Sequence, residues 1–423
     1  MVMRLPAADW LERADLSVLI KALGRGQARY VGGAVRDTLL GIAVKDVDIA
    51  TPLEPQEVMR RLKAHTIQVV PTGIDHGTVT AILKGGPVEI TTLRHDVSTD
   101  GRRATVSFAS EWHDDAARRD FTINALYADP ETLEVFDYFG GWEDLQARRL
   151  RFIGDAHERI REDHLRILRY FRFQARFGSQ PADPVAESAC AELAATLKGL
   201  SRERIGMEMM NLLGLPDPAL TVARMAELGV LAEVLPEANV AALAALVAEE
   251  ARQGVEPDAL RRLAALIPVD VTQAEGVASR FRLSGAQKKR LALAARRDPK
   301  PSALQGRGSG EGNSASNATG EPEGLPLSPA LSPEGEREQY ARALAYRLGR
   351  PAALDRLLLT GASVAPLSGW DIPTFPLKGG DVVARGVTVG PDVARILKAV
   401  EARWVELGFD DSRVPDLLDG VLP

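Results

Sequence analysis

Residues 30–49 read YVGGAVRDTLLGIAVKDVDI, and this stretch decides the fold of the N-terminal part of the chain. It begins with residues typical of a short strand, which ends at Gly32-Gly33. The segment from Ala34 to Leu40 predicts a helix that Gly41 closes, and the segment from Val47 to Ala50 predicts a second strand. This order of strand, glycine turn, helix and strand indicates an α/β unit.

The second strand carries the pair Asp46 and Asp48. Side chains two residues apart on a strand project to the same face, so both carboxylates could hold divalent metal ions. Paired magnesium ions can polarise an attacking hydroxyl and neutralise a triphosphate during an in-line displacement. Gly32 and Gly33 would let backbone N–H groups approach phosphates, and Arg36 could add a charge-assisted contact. The glycines lack the Gly-x-Gly-x-x-Gly spacing, which excludes a Rossmann dinucleotide site.

The composition bounds the classes of protein that this chain can belong to. With 423 residues, of which 45% are hydrophobic, it can bury a substantial core. No long apolar run is present, and Asp9, Glu12 and Asp15 stand where a signal peptide needs apolar residues, so we expect a cytoplasmic protein. The single cysteine, Cys190, excludes an internal disulfide and a cysteine-based zinc site, and we expect a buried thiol.

The type of secondary structure that the sequence predicts changes along the chain. The segments Thr78 to Leu83 and Val88 to Leu93 predict a hairpin, whereas nearly everything after residue 155 predicts helices. Residues 299–338 are rich in Gly, Ser, Pro, Asn and Glu, which predicts a disordered linker or insertion. We therefore expect an α/β head followed by an all-helical remainder, with Tyr340 resuming a helix after the linker.

Four motifs in this order resemble those of the class II CCA-adding enzyme and bacterial poly(A) polymerase family. They are Tyr30–Asp37, Lys45–Ile49, Arg118–Leu126 and Arg161–Arg166. The resemblance implies an α+β fold, with a polymerase-β-like nucleotidyltransferase head at 1–150 and an all-helical neck, body and tail. The helical parts are then a neck at 151–215 with a nucleotide-selecting helix, a body at 216–298 and a tail at 339–423 that contacts tRNA.

The resemblance also implies roles for residues of the head. Asp46 and Asp48 would hold two Mg²⁺ ions. The third catalytic carboxylate stays open between Glu89, which lies in a strand, and Asp120, which could instead cap a local helix. Arg119 resembles the contact of the family to the triphosphate or the sugar.

A cationic helix is predicted from Asp163 through Arg176. At helical spacing, Asp163 and four arginines fall on one half of its surface: Arg166, Arg169, Arg172 and Arg176. The plain interpretation is a solvated face with an ion pair between Asp163 and Arg166. The resemblance implies instead that these two residues contact the Watson–Crick edge of the incoming base, while Arg169 and Arg172 support the pocket or the triphosphate.

Such a pair would select C and A without a nucleic-acid template. Both bases place an exocyclic amino donor beside a ring-nitrogen acceptor, whereas U and G present the reverse polarity. A carboxylate accepts from the amino group and a guanidinium donates to the ring nitrogen. The expected reaction is therefore addition of CCA to the 3′ end of tRNA from CTP and ATP, with release of pyrophosphate. The expected partners are tRNA and the two nucleotides, without a membrane or an identified protein partner.

Alternative functions share parts of this pattern. A poly(A) polymerase has the same head motifs, and a split-function enzyme could add only CC or only A. The segment from Arg94 to Phe108 resembles the flexible head loop of full CCA-adding members, which weighs against a CC-only enzyme. A noncatalytic RNA-binding protein would have no use for Asp46 and Asp48 beside a phosphate site. All six histidines lie at or before His164, which excludes a phosphohydrolase metal site in the helical half.

Overall fold

The computed structural model describes residues 3–100, 103–108, 111–297 and 333–422. The chain forms two compact units, residues 1–240 and 241–423. Of the predicted linker, residues 299–332 lie outside the described residues. Its last residues belong to a helix that begins at Pro333, seven positions before the predicted start at Tyr340. The finer division into neck, body and tail stays a prediction.

In the part of the chain that the structure describes, the strands all belong to the first unit. Among the described residues, seven of them form one mixed sheet in the order β3-β4-β5-β2-β1-β8-β9, and β6 pairs with β7 in a separate hairpin. The strands are β1 Arg29–Val31, β2 Val47–Thr51, β3 Gln68–Gly73, β4 Thr78–Leu83, β5 Gly86–Thr92, β6 Arg94–Asp100, β7 Arg103–Phe108, β8 Leu126–Ala128 and β9 Val135–Asp137.

Helices pack with this sheet in the first unit, and among the described residues the regular structure after β9 is helical. In the first unit they are α1 Ala14–Leu23, α2 Gly33–Leu39, α3 Pro55–Ala64, α4 Trp112–Ala117, α5 Gly141–Gln146, α6 Ala156–Glu162, α7 Arg166–Phe177, α8 Pro184–Glu192, α9 Arg202–Leu213, α10 Ala219–Glu227 and α11 Val230–Val234. From the start of the second unit they are α12 Val240–Gln253, α13 Ala259–Leu266, α14 Val271–Arg280, α15 Gly285–Ala295, α16 Pro333–Leu348, α17 Arg350–Leu359, α18 Gly379–Val383, α19 Pro391–Glu406 and α20 Val414–Asp419. The predicted α+β fold with a helical remainder is confirmed.

Side chains alternate along β2, and this alternation determines which face of the sheet carries the carboxylates. Val47 and Ile49 are buried, at 4% and 0% exposure, whereas Asp48 between them points to the opposite face. In the parallel pairing with β5, Asp48 lies directly opposite Glu89. The two carboxylates therefore share one face of the sheet.

A cluster of buried residues supports the sheet. Val31 and Tyr127 belong to it together with Ala116 of α4. Trp112, at the start of α4, packs against this cluster.

The predicted head loop from Arg94 to Phe108 precedes α4, and its backbone forms the β6–β7 hairpin. The mobility of that loop stays a prediction, and its residues 101–102 lie outside the described residues.

The second unit combines an apolar core with a buried ion network. Trp404 is fully buried at the centre of the cluster formed by α19 and its neighbours. Glu250 of α12 accepts hydrogen bonds from Nε of Arg261 at 2.7 Å and Nε of Arg262 at 2.8 Å. Nε of Arg290 on α15 donates to Asp355 of α17 at 2.7 Å. Because buried charges require partners, these pairs fix how the four helices α12, α13, α15 and α17 pack.

Cys190 is buried on α8 as expected, and burial raises the pKa of its thiol. Among the described residues, no helix combines the length and apolar character that crossing a membrane requires.

Candidate active site

A polar cleft of about 530 Å³ lies beside Asp48 of β2 and beside Asp46, which precedes this strand. Its wall combines the glycine turn, the end of the loop before β2, the segment after α4 and one side of α7. Six cationic and four acidic side chains line it, so the charge of the lining favours an anion. The lining residues are Gly32, Gly33, Arg36, Asp37, Val44, Lys45, Asp46, Asp48, Arg119, Asp120, Asn124, Arg169, Arg172, Phe173 and Arg176.

The glycine turn closes one end of the cleft and has a conformation that favours glycine. Gly32 precedes α2 with φ 66° and ψ −118°. A Cβ atom there would stand 3.4 Å from Nη1 of Arg119 and 3.7 Å from the carbonyl oxygen of Asn124. Glycine therefore suits both the backbone angle and the close approach of Arg119 and Asn124 to the turn.

Asp46 and Asp48 both line the cleft, and Glu89 lies beside Asp48 on the neighbouring strand. Asp46 and Glu89 are exposed and Asp48 is half-buried. Burial, together with the negative charges of Glu89 and Asp46, raises the pKa of Asp48 to about 6, although Arg119 acts in the opposite direction. Repulsion of this kind is relieved when a divalent cation binds between the carboxylates.

These carboxylates do not form a complete metal cage. Among the described residues, no three or more His, Cys, Asp or Glu side chains converge closely enough to hold a metal ion by themselves. Magnesium is usually held by one or two carboxylates, with substrate phosphates and water as the remaining ligands. The oxygen donors of Asp46 and Asp48 fit that kind of site.

Asp120 is fully engaged with the protein. Oδ2 accepts from Nε of Arg169 at 2.9 Å, and Oδ1 accepts from the backbone N of Phe121 at 2.8 Å and from Nδ2 of Asn124 at 3.0 Å. Burial alone would raise the pKa of Asp120, but Arg169 and these hydrogen bonds hold it at about 2. Its carboxylate therefore stabilises the wall of the cleft, whereas Glu89 faces Asp48 directly.

Arg36 is buried at 5% exposure in the helix that follows the glycine turn. Its Nε donates to Asp37 at 2.8 Å and its Nη1 donates to Oδ1 of Asn124 at 2.5 Å. The guanidinium lies 4.2 Å from the ring centroid of Phe177. These contacts hold Arg36 against the floor of the cleft.

Arg119 is held in place by a buried acid. Its Nε donates to the hydroxyl of Tyr127 at 3.0 Å, and its Nη2 donates to Asp115 at 3.2 Å. Asp115 also accepts from the hydroxyl of Tyr127 at 2.6 Å and from Arg118. Burial would raise the pKa of Asp115, but Arg119 and Arg118 hold it at about 2. An ionised acid under Arg119 thus orients a guanidinium toward the cleft.

The arginines of α7 form one wall of the cleft. Besides the pair between Arg169 and Asp120, Nε of Arg172 donates to Glu208 of α9 at 2.5 Å. Nη2 of Arg176 lies 3.3 Å from Oδ2 of Asp37. Each guanidinium is thus restrained by a carboxylate while it lines the cleft.

Asp163 and Arg166 lie outside this lining. Asp163 stands between α6 and α7 with φ −150°, so the predicted helix from Asp163 is wrong at its start and begins at Arg166. The side chain of Asp163 accepts from the backbone N of Leu165 at 3.1 Å, which competes with helix formation, and from Arg204 at 2.7 Å. Arg166 donates to Glu162 at 2.6 Å and to two backbone carbonyls, so the simple ion pair between Asp163 and Arg166 is not formed.

Comparison with known proteins assigns the family. The model for the poly A polymerase head domain matches residues 28–151, and that for the probable RNA- and SrmB-binding site of polymerase A matches residues 183–241. The mitochondrial CCA tRNA nucleotidyltransferase 1 of Mus musculus is 33% identical over 389 residues, which cover 90% of this chain and 84% of the relative. The chain belongs to the CCA-adding enzyme family.

Other members of this family match in sequence and in structure. The CCA-adding enzyme of Geobacillus stearothermophilus is 42% identical over 204 residues, which cover 48% of this chain and 49% of the relative. A crystal structure of the Bacillus stearothermophilus CCA-adding enzyme in complex with CTP has a TM-score of 0.63 and 27% identity. That match covers 93% of this chain and 92% of the solved one.

In this member of the CCA-adding enzyme family, the cleft brings together most of the residues singled out in the sequence. They are Gly32, Gly33, Arg36, Asp46, Asp48, Arg119, Asp120, Arg169 and Arg172. Glu89, Asp163 and Arg166 do not line the cleft. Sequence reasoning missed Lys45 and Asn124, although both stand inside the motifs that carry the resemblance. The sequence does contain a signal for Asn124, which is a neutral amide four residues after Asp120 in the same motif.

Proposed function

We propose that this chain adds C, C and A to the 3′ end of tRNA from CTP and ATP. The oxygen of the RNA 3′-hydroxyl would attack the α-phosphorus of the nucleotide, and the bond to the β-phosphate would break as pyrophosphate leaves. The observation that carries this proposal is the position of Asp46 and Asp48 on a cleft lined by six cationic side chains. Membership of the CCA-adding enzyme family supports the same reaction.

Asp46 and Asp48 would hold magnesium, with Glu89 as the third carboxylate. Their oxygen donors and the raised pKa of Asp48 suit a divalent cation. Two such ions, when bound, polarise the attacking hydroxyl and neutralise charge on the triphosphate. Gly32 and Gly33 would bring their backbone close to the phosphates.

The arginines of the cleft would hold the nucleotide. Arg36 and Arg119 stand on the side of the glycine turn and would contact the triphosphate or the sugar. Arg169 and Arg172 would support the phosphates from α7. Because each guanidinium is already oriented by an acid or an amide, less freedom is lost when the nucleotide binds.

Asp163 and Arg166 would select the base. A carboxylate that accepts from the amino group and a guanidinium that donates to the ring nitrogen admit C and A and reject U and G. The two side chains would exchange their present partners, Arg204 and Glu162, for the edge of the base.

The helical segments would bind the acceptor. We propose a neck at 151–215, a body at 216–298 and a tail at 339–423 that contacts tRNA. The match to an RNA-binding domain over residues 183–241 supports RNA contact in the neck and the start of the body. The cytoplasmic location stays a prediction, because the mouse relative is named a mitochondrial protein.

The test supplies the purified chain with tRNA that lacks its 3′ end and with each labelled nucleoside triphosphate, singly and together, in magnesium. Addition of CCA and nothing further supports the proposal. Long A tails would assign a poly(A) polymerase instead, and addition of only CC or only A would assign a split-function enzyme. The D48N variant should be inactive, whereas E54Q, which changes an exposed acid of the head, should retain activity.

A further inference from the structure

Asn124 joins the two walls of the cleft. It is buried at 7% exposure and is the last residue of the short helical turn Thr122–Asn124. Its Oδ1 accepts from Nη1 of Arg36 at 2.5 Å, and its Nδ2 donates to Oδ1 of Asp120 at 3.0 Å. Asp120 in turn accepts from Arg169 of α7. A chain of hydrogen bonds therefore runs from the helix after the glycine turn to the arginine-rich helix.

The chemistry of an amide side chain suits this position. The guanidinium of Arg36 can only donate, and the ionised carboxylate of Asp120 can only accept. An amide offers one acceptor and two donors in a plane, so it can serve both neighbours at once. A carboxylate at position 124 would repel Asp120, and an apolar side chain would leave the facing groups of both neighbours without this partner.

The position of Asn124 relative to Gly32 adds a second constraint. The carbonyl oxygen of Asn124 would lie 3.7 Å from a Cβ atom on Gly32, so its backbone also borders the glycine turn. The backbone N of Gly32 donates to the carbonyl oxygen of Leu126, two residues further on, at 3.1 Å. The segment that carries Asn124 is thus fastened to the turn as well as to both arginines.

We propose that Asn124 is a positioning residue that sets Arg36 and Arg169 at the separation a nucleoside triphosphate requires. The proposal rests on the proposed function, because it concerns how that cleft holds its nucleotide. It assigns Asn124 no contact with the reacting atoms. Its effect passes through Arg36 on one side and through Asp120 to Arg169 on the other.

Steady-state kinetics of the full chain with tRNA and each nucleotide test this role. N124L keeps the approximate shape and removes both hydrogen bonds, and it should raise the KM for CTP and for ATP about tenfold, as expected for lost bonds to charged groups. The KM for tRNA should stay within about twofold, because that ligand does not depend on the separation of the arginines. N124D, which keeps an acceptor for Arg36 but repels Asp120, should raise the nucleotide KM as well.

A matched control separates positioning from general stability. Thr122 is buried in the same turn, and its hydroxyl donates to Asp144 at 2.7 Å, away from the cleft. T122V should lower thermal stability without changing either nucleotide KM by more than about twofold. If N124L is too unstable to assay, N124D and T122V provide the same comparison.

A double-mutant cycle measures the coupling itself. R36K and R169K should show non-additive effects on kcat/KM for CTP in the native background and additive effects in the N124D background. Nucleotide KM values unchanged in N124L and N124D, or raised equally by T122V, would overturn the inference. A native chain that incorporates no nucleotide would instead overturn the proposed function.

Discussion

Asp48 on β2 and Glu89 on β5 occupy directly opposed positions in a parallel strand pair. Opposed residues in neighbouring strands project to the same face, so the two acids lie side by side above the sheet. The charge of Glu89 contributes to the raised pKa of Asp48. Asp120, the other candidate for a third carboxylate, is instead fully hydrogen-bonded within the protein.

The first prediction therefore contrasts E89Q with D120N. E89Q should lower kcat for nucleotide incorporation by about a hundredfold or more, because it removes a charge beside the metal-binding pair. Its free energy of unfolding should change little, since Glu89 is exposed and Asp48 gains from reduced repulsion. Single-turnover incorporation and urea unfolding measure the two quantities.

D120N should instead act mainly on the free energy of unfolding. It weakens the ion pair with Arg169, and the lowered pKa of about 2 corresponds to stabilisation on the order of 2 kcal/mol. We expect a clear loss in free energy of unfolding and a raised nucleotide KM. Full activity of E89Q, together with a D120N variant that is stable but inactive, would assign the third carboxylate to Asp120.

The parts of the site predicted from sequence are those that local pattern determines. The glycine turn and the strand that carries Asp48 depend on neighbours within about twenty positions, and the structure has both where the pattern predicts them. Asp46 lies one residue before this strand, which begins at Val47. The predicted helix after the turn runs from Gly33 to Leu39, within one residue of the expected bounds.

The remaining features depend on residues distant in sequence. The partner of Asp120, Arg169, stands 49 positions later, so sequence alone left Asp120 and Glu89 unresolved. The start of α7 was misplaced because Asp163 pairs with Arg204 and accepts from Leu165, which periodicity does not reveal. Tertiary contacts thus override the helical pattern at its first turn.

A second prediction concerns acid stability and Asp115. Its pKa is lowered from 3.8 to about 2 in the folded protein, mainly through Arg119 and Arg118 against the effect of burial. An acid with a lowered folded pKa stabilises the protein above its unfolded pKa, and that contribution is lost as the pH falls toward the folded pKa. The contribution of Asp115 at neutral pH is therefore about 2 kcal/mol.

The measurement compares native protein with D115N by urea unfolding from about pH 5 down to about pH 2. The difference in free energy of unfolding should be largest at the upper end and shrink by about 2 kcal/mol at the lower end. Subtracting the D115N values removes the contribution of other carboxylates that titrate in this range. A difference that stays constant with pH would show that Asp115 has an ordinary pKa.

A third prediction concerns the choice of nucleotide. Exchanging the two groups in D163R/R166D reverses the donor and acceptor pattern offered to a base, so incorporation should shift from CTP and ATP toward UTP and GTP. Competition between labelled nucleotides at equal concentration measures this preference. An unchanged preference in the double variant would exclude base selection by Asp163 and Arg166.

The exchange also removes two ion pairs, so its control must do the same. E162Q/R204Q breaks the contacts of Arg166 with Glu162 and of Asp163 with Arg204 while it keeps both selecting side chains. This variant should lose some stability and still prefer CTP and ATP. A relaxed preference in the control would attribute selectivity to the rigidity of the segment instead of its chemistry.

The last prediction compares two glycines with nearly the same backbone angle. Gly32 has φ 66° and Gly26 has φ 71°, but a Cβ atom on Gly26 meets nothing within 4 Å, whereas one on Gly32 meets Arg119 at 3.4 Å. G26A should therefore show only backbone strain, about 1 kcal/mol of lost stability, with normal kinetics. G32A should show the same strain and also a raised KM for CTP and ATP, because the strain lies in the backbone proposed to approach the phosphates and the methyl group comes into contact with Arg119. Equal kinetics in the two variants would mean that the glycine turn does not hold the phosphates close to Arg119.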